Sequence, residues 1–188
     1  MRAYLVGLTA VAAVTAVASP CSAQGFRAEV HGGWDRVNAD EIDDSGIVYG
    51  LGLGYDFAVG EKAFVGLDFS LDDSTQKECA TGAILAGDEL CVRAGRDIAA
   101  GIRAGTKIGD DGKLYALAAY TNARFKSQYK SPAGIVTREA ENLDGFRLGA
   151  GYQHRIAGNA YGKVEYRYSN YEADIDRHQV LFGVGIEF

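Results

Sequence analysis

Seven titratable residues stand at alternate positions within otherwise apolar or glycine-rich stretches: Glu29, His31, Asp68, Arg103, Arg147, Glu165 and Arg167. A spacing of two puts Glu29 with His31, and Glu165 with Arg167, on one face of an extended chain, with their immediate neighbours on the other. Side chains of both signs gathered on one enclosed face must pair and hydrogen-bond, because an isolated buried charge is strongly disfavoured. The expected arrangement sets Arg103 and Arg167 against Glu29, Asp68 and Glu165. The plain reading is a structural plug; the sharper one, with His31 included, is a proton or ion relay.

Other chemistries have thinner support. An acyl hydrolase needs a nucleophile, a base and an orienting acid within mutual reach. Of the three histidines, His31, His154 and His178, none stands in a His-x-Ser arrangement. The acidic run Asp40, Glu41, Asp43 and Asp44 offers oxygen ligands for Ca²⁺ but lacks the glycine and terminal glutamate of an EF-hand, and a solvated acidic loop is the default. No catalytic residue, metal or cofactor is therefore expected. A net charge of -6 argues against nucleic acid, which calls for a basic stripe.

The elements that must position these residues are period-two segments separated by polar connections. Phe26, Ala28, Val30 and Trp34 alternate with Arg27, Glu29, His31 and Asp35. Tyr49, Leu51, Leu53, Tyr55 and Phe57 oppose Gly50, Gly52, Gly54 and Asp56. Val65, Leu67, Phe69 and Leu71 oppose Gly66, Asp68 and Ser70, and Ile98, Ala100, Ile102 and Ala104 oppose Asp97, Gly101, Arg103 and Gly105. In the fifth segment Tyr115, Leu117, Ala119 and Phe125 form the apolar face, against Tyr120, Asn122 and Arg124. Phe146, Leu148, Ala150 and Tyr152 oppose Arg147, Gly149, Gly151 and Gln153; Val164, Tyr166 and Tyr168 oppose Lys163, Glu165, Arg167 and Ser169. With residues 179–188 the segments number eight.

Connections alternate as well. Those at 58–62, 109–112 and 157–160 are tight and carry Gly, Asp or Asn turn chemistry. Those at 38–45, 72–91, 126–141 and 172–176 are longer or more polar. Pro132 falls in the third of these and Pro20 near the amino terminus, so no strand loses a ladder donor to proline.

Alternation alone leaves open which face points inward, since a soluble ligand-binding barrel also alternates, with its apolar face inside. Three features favour the reverse. The polar face mixes glycine with charge, which suits the cramped interior of an eight-stranded barrel. Aromatic residues cluster at the segment ends, as in the girdles of lipid-facing barrels. The apolar face would otherwise be a closed belt of exposed hydrophobic side chains.

Residues 1–23 read as a signal peptide: Arg2 is the single charge before an apolar run over 3–18, and Cys21-Ser22-Ala23 supplies small residues before a cut. Its apolar core is shorter than the roughly 20 residues a membrane anchor needs. Residues 24–188 form one domain. In an exported, oxidising setting a Cys79–Cys91 disulfide would contribute roughly 3 kcal/mol; two unpaired thiols are the alternative.

The final segment, QVLFGVGIEF over 179–188, puts Val180, Phe182, Val184, Ile186 and Phe188 on one face and Gln179, Gly183, Gly185 and Glu187 on the other. It resembles the carboxy-terminal strand by which bacterial outer-membrane β-barrels are recognised for assembly, and Phe182, Val184, Ile186 and Phe188 would carry that signal. Together with LYALAAYTNARF over 114–125 and KVEYRYS over 163–169, it makes the chain look like the eight-stranded outer-membrane family that includes the OmpA membrane domain, OmpX and the opacity-type surface proteins. The resemblance implies an all-β, eight-stranded antiparallel transmembrane β-barrel with short periplasmic turns and longer extracellular loops. It also implies residence in the bacterial outer membrane among lipid and lipopolysaccharide, and delivery by the outer-membrane assembly machinery; no oligomer interface stands out from the lipid-facing belt, so a monomer is expected.

Function is then expected in a closed lumen and in the loops that such a barrel displays. Ile84 and Leu85 are an apolar pair at the tip of the cysteine loop, suited to a surface ligand. Lys126, Lys130 and Arg138 make the third loop basic near the membrane, where lipopolysaccharide phosphates would lie. A structural or surface-interaction role without catalysis is the leading expectation; the alternative is a narrow, low-conductance porin or transporter.

Overall fold

The structure, a computed structural model, describes residues 25–39, 42–82, 85–172 and 175–188. The expected leader, Asp40, Glu41 and Ile84 lie outside the described residues, as do the side chains of Asp43 and Asp44. Nine strands follow one another: β1 (Gly25–Ala39), β2 (Ile42–Val59), β3 (Ala63–Ser74), β4 (Lys77–Thr81), β5 (Glu89–Ile108), β6 (Gly112–Lys130), β7 (Val136–Ala157), β8 (Ala160–Tyr171) and β9 (Ile175–Glu187). All pairings are antiparallel, in the order β3-β2-β1-β9-β8-β7-β6-β5-β4, and a further β3–β5 pairing joins the ends. Eight strands thus close a ring, while β4 pairs with β5 alone, outside it.

Three connections at one end are made by tight turns in which Gly60, Gly109 and Gly158 take φ of 70°, 63° and 54°, a left-handed conformation that glycine adopts without a Cβ penalty. The first and last described strands meet at that same end: β1 pairs with β9, Glu29 opposite Gly185, and the Phe188 amide donates to the Phe26 carbonyl at 2.9 Å. The even count and the turn asymmetry place both ends of the barrel domain on the periplasmic side.

Strand alternation sorts side chains between two environments. Val30, Leu51, Leu67, Ile102 and Val184 point outward and are all more than half exposed. In water this closed belt would far exceed the apolar patches that soluble monomers carry; in a bilayer it is the lipid-facing surface. Outward aromatics border it at both ends: Trp34, Tyr120 and Phe146 on the long-loop side, and Phe26, Phe57, Tyr152 and Phe188 on the turn side.

The face expected for the fifth segment is inverted. Tyr115, Leu117 and Ala123 are buried inside the ring, and Phe125 packs inward against Ala123, Leu143 and Tyr171, whereas Leu114 and Tyr120 are exposed to lipid. Directly opposed residues of a ladder share a face. Leu117 stands opposite Arg103 and Ala119 opposite Arg147, so the inward charges of the neighbouring strands carry this part of β6 inward. Tyr115 and Phe125, at the two ends of this segment, are therefore not among the outward aromatics.

The expected long loops are largely strand. β1 and β2 stay paired to Ala39↔Ile42, and β6 and β7 to Lys130↔Val136. Residues expected as the second loop contain β4, joined to β5 by the Cys79–Cys91 disulfide. Beyond the ring, β4 and the outer parts of β5, β6 and β7 form a four-stranded sheet that stands out of the barrel, because β7 pairs with β8 only from Gly145 onward.

Candidate functional site

All eight ring strands send polar side chains into the lumen, and these form three linked tiers. In the tier nearest the turns, Arg27 Nη2 donates to Asp68 Oδ2 at 2.8 Å and its Nε lies 3.4 Å from Asp56. Arg103 grips the same Asp56, with Nε donating to Oδ1 at 2.8 Å and Nη2 to Oδ2. The Arg103 guanidinium lies 4.8 Å from the Tyr115 ring centroid and 5.3 Å from that of Phe64, a distance at which the ring face attracts a cation. Lys113 pairs with Glu187 and reaches Asp56 at 3.4 Å.

In the middle tier Glu29 accepts from Tyr161 Oη at 2.8 Å and pairs with Lys163. Glu165 accepts from Tyr115 Oη at 2.5 Å, pairs with Arg167, and lies 3.3 Å from Lys163. His31 sits between two carboxylates, with Nδ1 3.3 Å from Glu29 and Nε2 2.5 Å from Asp72. Glycine makes this crowding tolerable: a Cβ at Gly52 would come within 2.7 Å of the Glu29 side chain, closer than Cβ contacts allow.

Asp72 joins the middle tier to the outer one, accepting from Arg167 Nη1 at 3.1 Å and Arg147 Nη1 at 3.3 Å. Asp97 then takes four donors: Arg147 Nη2 at 2.5 Å, Arg177 Nη1 at 2.9 Å, Tyr171 Oη at 2.7 Å and Thr121 Oγ1 at 2.5 Å. Arg177 also grips Asp35, which accepts from Ser74 Oγ at 2.8 Å. Above them Ala123, Leu143 and Tyr171, with Phe125 and Ile175 packed on, make a small apolar cluster. At the rim, outside the membrane, Asp176 accepts from Asn170 Nδ2 at 2.8 Å and Tyr168 Oη at 2.7 Å, which holds its carboxyl below the usual carboxylate range.

Glu29, His31, Asp68, Arg103, Arg147, Glu165 and Arg167 thus all face the lumen, with Asp68 the least buried. Their partners differ from those expected. Arg103 meets Asp56, while Asp68 meets Arg27; of the anticipated pairs, Arg167 with Glu165 is present. Sequence reasoning left out Arg27, Asp35, Asp56, Asp72, Asp97, Lys163 and Arg177 as network members. The signal was there: Asp68, Ser70, Asp72 and Ser74 continue one period-two series past the place where a loop was expected to begin, and Arg177 extends the inward series of Gln179 and Gly183 back to the edge of the connection at 172–176.

His154 and His178 lie outside this network, close to Tyr152 and Tyr166 hydroxyls at 3.3 and 2.7 Å. Lys126 and Arg138 point outward from the protruding sheet, Lys130 stands opposite Glu89, and Leu85 is exposed. The groups closest to metal-ligand spacing among the described residues are Cys79, Glu89 and Cys91, and the two cysteines are bonded to each other, with S–S 2.02 Å.

An apolar belt around a closed ring with charge inside defines an integral β-barrel of the outer membrane. The chain belongs to the outer membrane protein β-barrel domain family, whose pattern matches residues 7–188, and its place is the bacterial outer membrane. Among solved structures it is similar to Ail, the attachment invasion locus protein of Yersinia pestis, crystallised in complex with the heparin analogue sucrose octasulfate: TM-score 0.61, 18% identity, covering 88% of this chain and 99% of that one. Neisserial surface protein A gives TM-score 0.59 at 13% identity, covering 87% and 97%. A major outer membrane protein of Thermus thermophilus gives 0.58 at 12%, covering 88% and 100%. At these identities the likeness is one of fold. No curated protein sequence matches the chain.

Proposed function

We propose that this protein is a sealed barrel with a surface-interaction role: a structural anchor, without catalytic activity, that holds an outward-facing sheet above the membrane. The observation that carries the reading is the unbroken series of ion pairs from Arg27 through Glu29, Lys163, Glu165, Arg167, Asp72, Arg147 and Asp97 to Arg177 and Asp35. In an eight-stranded barrel side chains are enough to fill the interior, and guanidinium groups shared between carboxylates make short, directional, charge-assisted hydrogen bonds that fix them across it. Residues 1–23 serve as the export signal, and Phe182, Val184, Ile186 and Phe188 as the assembly signal. The complex of Ail with a heparin analogue supports an interaction role for barrels of this shape.

The second reading is a narrow pore, and one observation favours it. The Gln179 side chain is fully buried in the lumen, yet neither Nε2 nor Oε1 has a hydrogen-bond partner among the described residues. Buried amides take partners, so this position suits solvent, which a conducting thread requires. Single-channel recording in a planar bilayer separates the readings, with Arg103→Ala and Arg167→Ala alongside the parent. A silent parent supports the sealed barrel. Reproducible parent conductance that shifts in either variant establishes the pore instead.

A further inference from the structure

The outward face of the protruding sheet is basic across its strands. Register sets Lys77 of β4 opposite Arg93 of β5, and Arg93 opposite Lys126 of β6, so three cations stand side by side. One row further out, Arg138 of β7 donates through Nε to Gln128 at 3.3 Å. One row nearer the barrel, Arg124 is exposed opposite the bulge that carries Arg96. Lys77, Arg93, Lys126 and Arg138 line one groove of about 410 Å³, in which Glu139 is the sole carboxylate.

Like charges directly opposite one another destabilise a strand pair. Where like charges face each other elsewhere, an opposite charge joins them: Arg147 bridges the facing Asp72 and Asp97, and Lys113, opposite Lys107, pairs with Glu187. Among the described residues no ion pair engages Lys77, Arg93 or Lys126. An anion from outside the chain offsets such repulsion, and a run of cations from three strands suits a ligand with more than one negative group.

Position selects the source. Lys126 lies six residues beyond Tyr120 on the same face of β6 and Arg124 four, so at ~3.3 Å per residue and ~40° tilt the basic rows stand roughly 10–15 Å above the aromatic girdle. A phospholipid headgroup layer extends only about 5–8 Å beyond the hydrocarbon. The rows therefore lie above it, at the height of membrane-attached sugars, with side chains directed sideways along the membrane.

We propose that Lys77, Arg93, Lys126 and Arg138 form a binding site for the phosphate groups on the core sugars of lipopolysaccharide in the surrounding leaflet. The site rests on the reading of the chain as a surface-interaction barrel and names its partner. The disulfide is part of it. Cys79 and Cys91 are the next facing pair after Lys77 and Arg93 on the same side, and β4 has no other strand to hold it, so the bond keeps Lys77 in the row.

The test uses the full barrel domain refolded in detergent, titrated calorimetrically with phosphorylated core oligosaccharide freed of its acyl chains, with the same oligosaccharide after phosphatase treatment, and with inorganic polyphosphate. Binding of the phosphorylated form should weaken about tenfold or more in Arg93→Gln/Lys126→Gln, severalfold in Cys79→Ser/Cys91→Ser, and with added salt. Circular dichroism should show the barrel unchanged, since all these residues lie outside the ring. Equal binding by parent and Arg93→Gln/Lys126→Gln overturns the proposal, as does equal binding of the phosphatase-treated sugar. Polyphosphate binding without oligosaccharide binding also overturns it and assigns the face to a soluble polyanion. None of these outcomes depends on whether the lumen conducts.

Discussion

Arg177 holds Asp35 with two parallel hydrogen bonds, Nε to Oδ1 at 2.7 Å and Nη2 to Oδ2 at 2.5 Å, and both residues are buried. The pair joins β1 to β9, the strands that bring the two ends of the barrel together. Removing one member of such a pair leaves the other charge buried and uncompensated, which costs about 3–5 kcal/mol, whereas replacing both with apolar residues is far milder. Arg177→Leu is thus expected to lower stability by about that amount, and Asp35→Leu/Arg177→Leu by clearly less. Urea unfolding of the barrel in lipid vesicles measures both; additive losses would show that the two residues are not coupled.

Tyr115 tests the orientation of β6. Its hydroxyl donates to Glu165 at 2.5 Å while its ring lies under Arg103. Tyr115→Phe keeps the ring and removes the donor, so a loss of roughly 1.5–3 kcal/mol is expected, the range for a hydrogen bond to a charged group. Were this residue in lipid, the same change would be neutral or favourable. Equilibrium unfolding of the variant distinguishes these outcomes by sign.

Leu51 lies opposite Val30 and Leu71 near mid-height of the lipid-facing belt. Leu51→Arg should destabilise the folded barrel by about 2–4 kcal/mol, the cost of a cation at the bilayer midplane. Arginine at exposed Thr137, on the protruding sheet opposite Tyr129, should cost almost nothing. Unfolding titrations in vesicles compare the two.

Reduction of Cys79–Cys91 should act locally. The bond closes a loop with a sequence separation of 12, worth about 3 kcal/mol to the segment it constrains, but β4 makes no contact that closes the ring. Trypsin in the presence of reductant is expected to cut at Lys77 while the barrel core stays intact, with the thermal midpoint of the core unchanged. Mass spectrometry of the fragments reads the result; cuts spread along the ring strands would contradict it.

Legibility differed from strand to strand. β2 was plain because every second residue from 50 to 54 is glycine and the intervening ones are large and apolar. β6 was not, because residues 114–119 are apolar or small on both faces, so alternation had no contrast with which to choose. Its facing was settled by its neighbours, where Leu117 meets Arg103 and Ala119 meets Arg147. Ion-pair partners were hidden for another reason: Arg103 and Asp56 are 47 positions apart, on strands β5 and β2, which do not pair with each other.

The sequence by itself determined the strand period, the apolar belt, the tight turns and the compartment, because each follows from residues that are neighbours along the chain. It also marked seven charged residues as inward-facing. Only the tertiary structure decided which guanidinium meets which carboxylate, that Asp97 and Asp72 are the shared acceptors, and that Lys77, Arg93 and Lys126 stand in one row. Those relations depend on the stagger of strands around the closed ring and on the bond that folds β4 onto β5, and neither is a property of any local stretch of chain.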